Sequence, residues 1–132
     1  MRTHLVFRNA ILNDDDANDS NPAGRRLSNL IAENLLNHGF QVKRVVMEDW
    51  GWVILIENKV FPLWIGCSID PDQDDGHLCF IRPDKAKIRR WFKSIDTTRT
   101  VDRLATALED IVKSAQHSSD LRWWSEDESR IN

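Results

Sequence analysis

The chain has 132 residues and a formal net charge of −3, and 41% of its residues are hydrophobic and 30% charged. These values are typical of one globular domain, which excludes a disordered chain and gives no overall field that would attract nucleic acid or an anionic membrane. No apolar run approaches the roughly 20 residues that cross a bilayer, and Met1–Arg8 lacks the long apolar core of a signal peptide. We therefore expect a single domain over residues 1–132, located in the cytoplasm and without membrane association.

The amino-terminal part predicts a strand, an acidic loop and a helix. Leu5–Phe7 is a short apolar strand, and residues 13–20 are expected to form a flexible loop because closely spaced carboxylates repel one another. Asn21 is a good helix N-cap, followed by Pro22 at the first helical position, and Gly39 suits the left-handed carboxyl end. Apolar residues recur between them at the spacing of one buried helix face, namely Ala23, Leu27, Leu30, Ile31 and Leu35.

Strands dominate the middle of the chain. Apolar and β-branched runs separated by short links predict an antiparallel meander, because parallel pairing would need long crossovers. Pro62 cannot donate to a strand ladder, so we expect it at the start or edge of its strand. The predicted strands are Phe40–Met47, Trp52–Ile56, one within Val60–Ile69, and His77–Ile81.

The carboxyl-terminal part predicts two helices and a candidate last strand. Ile88, Trp91, Phe92 and Ile95 have the spacing of the apolar face of a short helix whose other face is basic. Residues 96–98 offer caps for a longer helix. That helix carries an unbroken apolar stripe, formed by Val101, Leu104, Ala105, Leu108, Ile111, Val112 and Ala115.

The chain closes with Leu121–Trp124 as the candidate last strand, and residues 125–132 are expected to form a frayed polar tail. The predicted order is thus β-α-β-β-β-β-α-α with that strand added. It indicates an α+β fold, in which an antiparallel sheet of about four to six strands has helices packed on one face.

The sequence contains no complete catalytic, metal or cofactor signature. Asp70, Asp72 and Asp74 resemble the start of a calcium loop, but Asp75 stands where glycine is required and Ile81 where a bidentate Glu belongs. No glycine-rich phosphate loop is present, and the four His residues show no ligand spacing. We therefore predict no metal, no cofactor and no catalytic residue, which favours a protein that is not an enzyme.

Cys67 and Cys79 lie symmetrically about Gln73, so a simple hairpin would place them opposite each other on neighbouring strands. A disulfide could form at that distance, but the cytosol is reducing and cross-strand bridges are often strained. Packing as two small hydrophobic side chains is the favoured interpretation. A catalytic thiol would need a His in a cationic setting, and only His77 is near in sequence.

The basic segment Lys85–Lys93 could contact phosphates. In the predicted helix, however, Trp91 and Phe92 belong to the core face, which leaves no aromatic ring among the cations. Together with the net negative charge, this argues against nucleic acid as a partner.

A tryptophan-rich segment is the best candidate site. Glu48 and Asp49 precede Trp50 and Trp52, and Trp64 follows on the next strand. Trp50 and Trp52 would share a face if the strand began early, and Gly51 between them permits close approach of a backbone or a ligand. Acidic residues beside exposed Trp are typical of protein-binding hot spots, although the same Trp side chains could instead close one end of the core.

Several segments resemble a set of small uncharacterised bacterial proteins. The likeness rests on Glu48–Trp52, Trp64–Cys67, Ile88–Phe92 with Asp96-Thr97, and Leu121–Trp124, and it covers residues 21–124. It implies a bacterial cytoplasmic protein and transfers no catalytic residue.

The favoured hypothesis is a non-enzymatic domain that binds another protein through Glu48, Asp49, Trp50, Trp52 and Trp64. An immunity-type antidote to a bacterial toxin would fit its size, its acidic loops and its missing active site. The alternative is a small-molecule-binding or enzymatic domain with a pocket near Trp50, Trp64 and Cys67. A third hypothesis is nucleic-acid binding through Lys85–Lys93.

Overall fold

The computed structural model describes residues 1–125 and has an α+β fold, as the sequence predicts. The strands are β1 (His4–Arg8), β2 (Val42–Glu48), β3 (Gly51–Ile56), β4 (Leu63–Ile69), β5 (Gly76–Arg82), β6 (Lys87–Arg90), β7 (Lys93–Asp96) and β8 (Ser119–Trp124). The main sheet contains six antiparallel strands in the order β2-β3-β4-β5-β1-β8, and a separate hairpin forms a two-stranded sheet, β6-β7. The helices are α1 (Arg25–Asn34) and α2 (Thr98–Ser114), with short 3-10 helices at Ala10–Leu12 and Leu35–His38.

The two α-helices pack on one face of the main sheet, and the core lies between these layers. α1 contacts β2, β3, β4 and α2. Paired residues of an antiparallel sheet share a face, and one row on the helix-covered side joins Leu5, Cys79, Cys67 and Trp52 across four strands. The α2 stripe predicted from the sequence is buried throughout residues 101–112. None of the helices within residues 1–125 is long and apolar enough to span a bilayer.

Most of the strands agree with their predicted positions. The predicted runs match β1 to β5 closely, and Pro62 lies immediately before β4, as its missing N–H requires. The candidate last strand is confirmed as β8, which pairs with β1. Of the predicted tail, only Ser125 is described, and residues 126–132 lie outside the described residues.

The predicted start of the first helix is wrong. Helix α1 begins at Arg25, and its N-cap is Gly24, in the left-handed region at φ 111°. Asp14 caps it instead, because its carboxylate accepts hydrogen bonds from the backbone N–H groups of Gly24, Arg25 and Arg26 at 2.9–3.2 Å. Helix α1 ends at Asn34, and the short 3-10 helix Leu35–His38 continues to Gly39, which has the predicted left-handed conformation at φ 86°.

This long-range cap gives a stability prediction. Asp14→Ala should lower the free energy of unfolding by about 1–2 kcal/mol, since it leaves three amide donors of the first turn without their acceptor. Urea denaturation measures the change. Asp15→Ala removes an equal charge from the adjacent exposed position and should change the stability by less than about 0.5 kcal/mol. Equal losses in the two variants would show that the cap contributes nothing beyond local charge.

The second predicted helix, around Ile88–Ile95, is also wrong, because this segment is the β6-β7 hairpin. Ile88 pairs with Ile95, and both pack against the core from the same face of the hairpin. Trp91 and Phe92 are not core residues. They form the tip of the hairpin, where their side chains are 88% and 96% exposed.

Candidate functional site

Within residues 1–125 both α-helices lie on one face of the main sheet, and we call the opposite face the open face. A row of paired residues crosses this face through all six strands, in the order Val46, Val53, Gly66, Phe80, His4 and Trp124. A second row runs beside it, in the order Arg44, Leu55, Trp64 and Arg82. The open face is therefore largely apolar and aromatic, although helices cover only the other side.

Three rings form a cluster at the centre of the open face, here called the aromatic cluster: Trp50, Trp64 and Phe80. Their ring centroids lie 5.2 Å apart for Trp50–Phe80, 5.7 Å for Trp64–Phe80 and 6.5 Å for Trp50–Trp64. The guanidinium of Arg82 lies 5.1 Å from the Phe80 ring centroid. These are favourable separations for aromatic pairs and for a cation over a ring, so the cluster presents a preordered surface.

Gly66 allows this cluster to form. A Cβ atom at Gly66 would overlap the Phe80 ring, which lies directly over the glycine on the paired strand. A missing side chain on β4 thus makes room for a large ring from β5, and this brings Phe80 close to Trp64.

The turn between β2 and β3 brings the acidic pair to the edge of the cluster. Glu48 and Asp49 are both exposed, and the side chain of Trp50 is 43% exposed. The Ser68 hydroxyl donates a hydrogen bond of 2.9 Å to the Trp50 carbonyl oxygen, which ties the turn to β4. The structure therefore brings together four of the five predicted site residues: Glu48, Asp49, Trp50 and Trp64.

Trp52 lies on the opposite face of the sheet. Strand β3 begins at Gly51, too late for Trp50 and Trp52 to share a face. The Trp52 indole N–H donates to the Pro22 carbonyl oxygen at 2.9 Å, and the residue pairs with Cys67 in the helix-covered row. Its position makes Trp52 a link between the sheet and the segment that precedes α1.

The other end of the open face contains a cleft of about 610 Å³ that sequence reasoning missed. Its floor is apolar, and Asp70, Asp72 and Asp120 lie at its edge beside Arg122. The apolar lining residues are Val6, Ile69, Pro71, Leu78 and Trp124. β1 lies beside β5 and β8 lies beside β1, although β1 and β8 come from opposite ends of the chain. No local sequence pattern could therefore place these residues together.

The Cys67–Cys79 pair is opposed across β4 and β5, as the symmetric spacing predicts, and both thiols are free and fully buried. Burial raises the pKa of the Cys67 thiol well above 9.0, which opposes formation of a thiolate nucleophile. Cys67 is on the helix-covered face and Trp64 on the open face. The sheet therefore separates two residues of the pocket considered in the alternative hypothesis.

Asp70, the first residue of the calcium-like loop, has structural partners. Asp70 accepts hydrogen bonds from the backbone N–H of Asp72 and the side-chain amide of Gln73, so its carboxylate orders its own loop. Among residues 1–125, no group of three His, Cys, Asp or Glu side chains is placed to hold a metal ion.

His77 is buried against Phe7, with its Nε2 atom 2.8 Å from the Asn9 carbonyl oxygen. Nδ1 has no hydrogen-bond partner among the described residues. Burial lowers the pKa of His77 from its ordinary value of 6.5, and the contact with the Asn9 carbonyl opposes this only in part. The neutral imidazole is therefore the form that suits the folded protein.

This environment predicts a pH dependence. The folded-state pKa of His77 is below the unfolded-state value, so the unfolded chain binds a proton at a higher pH than the folded protein does. The contribution of neutral His77 to stability is therefore constant above pH 6.5 and is lost as the pH falls below 6.5. His77→Gln should flatten this part of the urea-midpoint profile. Equal profiles for the wild type and His77→Gln would contradict the assignment.

Comparison with protein-family models, with curated proteins and with solved structures found no match to this chain. The geometry of the open face is accordingly the basis for the functional proposal.

Proposed function

We propose that this chain is a non-enzymatic protein-binding domain that holds its partner against the open face. The aromatic cluster, with the acidic pair Glu48 and Asp49 beside it, forms the centre of the contact. The observation that supports this most strongly is that a half-exposed Trp50 lies on a second Trp and a Phe, on a sheet face without a covering helix.

Leaving the rings of the aromatic cluster in water is unfavourable, so a partner that covers them gains free energy. Rings that pack against one another lose little conformational entropy when a partner covers them, since their positions are already fixed. Aromatic residues at the centre of an interface, surrounded by polar residues, are the usual composition of a binding hot spot. The three rings of the aromatic cluster are not members of the buried core that the sheet forms with α1 and α2.

Charge indicates the kind of partner. Glu48 and Asp49 lie at one end of the open face, and Asp70, Asp72 and Asp120 lie at the other. These carboxylates favour a partner whose surface presents Lys and Arg around an apolar patch, and they would speed its association. Arg122 lines the cleft with the second group of carboxylates and Arg82 lies over the Phe80 ring, so both would restrict which basic surfaces can approach.

Within this proposal, the subtype we favour is an immunity-type antidote in the bacterial cytoplasm, which binds and neutralises a toxin. A small acidic domain with a preordered surface suits that role, because an antidote needs tight binding and no chemistry. The test is to titrate the purified chain with the product of an adjacent toxin gene and to co-express both in cells. A tight complex with cell survival supports the proposal, whereas neither binding nor protection would exclude it.

A further inference from the structure

The β6-β7 hairpin has a feature that the proposed function does not use. Its tip consists of Trp91 and Phe92, which are the two most exposed large hydrophobic side chains among the described residues. Two adjacent aromatic rings in water are unfavourable by the ordinary hydrophobic effect. Since neither ring packs on the rest of the protein, their natural environment is outside this chain.

The hairpin is held firmly at its base. Ile88 and Ile95 pack against the core, and the Thr97 N–H donates to the Ala86 carbonyl oxygen at 2.9 Å, immediately before α2 begins. The Arg90 guanidinium donates to the Val60 carbonyl oxygen at 2.8 Å. Trp91 itself has φ 60°, a left-handed conformation that side chains rarely adopt. The tip is thus presented on a fixed support.

The charge of the hairpin is opposite to that of the protein. Residues 85–96 contain five cations, Lys85, Lys87, Arg89, Arg90 and Lys93, and one carboxylate, Asp96, which gives a formal charge of +4. The whole chain has a formal charge of −3. Asp96 is already engaged by the backbone N–H of Thr98. Although the whole chain is negatively charged, this hairpin is a local basic surface with aromatic rings at its end.

We propose that this hairpin docks the protein onto an anionic lipid bilayer, with Trp91 and Phe92 inserted at the boundary between headgroups and acyl chains. Aromatic rings favour this boundary, and cations one to a few residues behind them would lie among the lipid phosphates. Such docking needs no membrane-spanning helix. The hairpin has the opposite charge from the acidic open face, so the protein could bind a bilayer and its partner protein at the same time.

The arrangement fits a bilayer better than a nucleic acid. Single-stranded nucleic acid binds where rings form a stacking platform along a basic groove. Here the rings project beyond the last cations, and Arg90 is directed back towards Val60.

The test is co-sedimentation of the purified protein with vesicles of phosphatidylcholine alone or with about 30% phosphatidylglycerol. We expect at least about tenfold stronger partition to the anionic vesicles, and a strong loss when salt rises from about 0.1 to about 0.5 M. The double variant Trp91→Gly/Phe92→Ser should lower this partition at least about tenfold. Arg89→Gln should lower it by about fivefold.

The variants are chosen to keep the fold. Glycine at position 91 relieves the left-handed backbone, and neither tip ring packs on the protein, so circular dichroism and the urea midpoint should stay near those of the wild type. Leu36→Ser removes an exposed apolar side chain elsewhere and should leave the partition unchanged. Equal partition of the wild type and the double variant would overturn the proposal. Binding of a single-stranded oligonucleotide in place of vesicles would also overturn it, in favour of nucleic acid.

Discussion

Trp50→Ala should weaken partner binding by at least about 2 kcal/mol, or roughly 30-fold in Kd, because it removes the most exposed ring of the aromatic cluster. The free protein should lose less than that in stability, since nearly half of this side chain is already in water. Calorimetric titration with the partner, together with urea denaturation of the free variant, measures the two effects separately.

Trp52→Ala is the matched control for this prediction. It removes the same side chain two residues away, on the helix-covered face, where the indole N–H is bonded to the Pro22 carbonyl oxygen. We expect about 2 kcal/mol of lost stability from missing packing and a broken hydrogen bond, with partner affinity of the folded protein nearly unchanged. If Trp52→Ala weakened binding as much as Trp50→Ala, the open face would not be the specific contact surface.

Gly24→Ala should destabilise the fold by about 3 kcal/mol or more, which is a large part of the stability of an ordinary domain. At φ 111° a side chain is strained, and its Cβ would also overlap the backbone carbonyl of Cys67 on β4. Backbone atoms in a central strand cannot move aside as a flexible side chain can. The substitution should therefore push the start of α1 away from the sheet.

Gly39→Ala separates these two causes. Gly39 also has a positive φ, of 86°, but the nearest atom to an added Cβ is the Arg103 side chain at 3.8 Å. We expect a loss of only about 1 kcal/mol there, from backbone strain alone. Chemical denaturation of both variants measures the difference, and similar losses would contradict a close contact between Gly24 and β4.

Much of the fold could be predicted from local patterns because those patterns reflect burial. The α2 stripe has helical spacing over its full length, and the strands of the meander are β-branched runs with short links. The opposed Cys67 and Cys79 followed from symmetry about one loop. Each of these inferences depends only on residues close together in sequence.

The failures have equally definite causes. Ile88, Trp91, Phe92 and Ile95 happen to have helical spacing, and the hairpin turn at Trp91 contains no Gly, Asn or Asp to indicate a turn. The pairing of Ile88 with Ile95 in the structure is what distinguishes the hairpin from a helix. The predicted cap at Asn21 failed because the acceptor for α1 comes from Asp14, ten residues before Gly24, through a contact that no local motif describes.

The candidate site was predicted in part. Its acidic pair and two of its Trp residues were identified from composition, but the face of each side chain depends on where β3 begins. Phe80 was missed although its pairing with Gly66 belongs to the same hairpin that opposes Cys67 and Cys79. The cleft beside Trp124 was missed because it depends on pairings of β1 and β8, which are remote in sequence. Long-range strand order is set by the whole sheet and leaves no local pattern.

The most direct test of the central claim is the set of tryptophan indole N–H signals in a two-dimensional NMR spectrum of the ¹⁵N-labelled chain, recorded with and without saturating partner. Single Trp→Phe variants assign the signals. We predict that the signals of Trp50 and Trp64 shift or broaden on binding, whereas those of Trp52 and Trp91 stay in place. Unchanged Trp50 and Trp64 signals in a formed complex would contradict the open face as the binding surface.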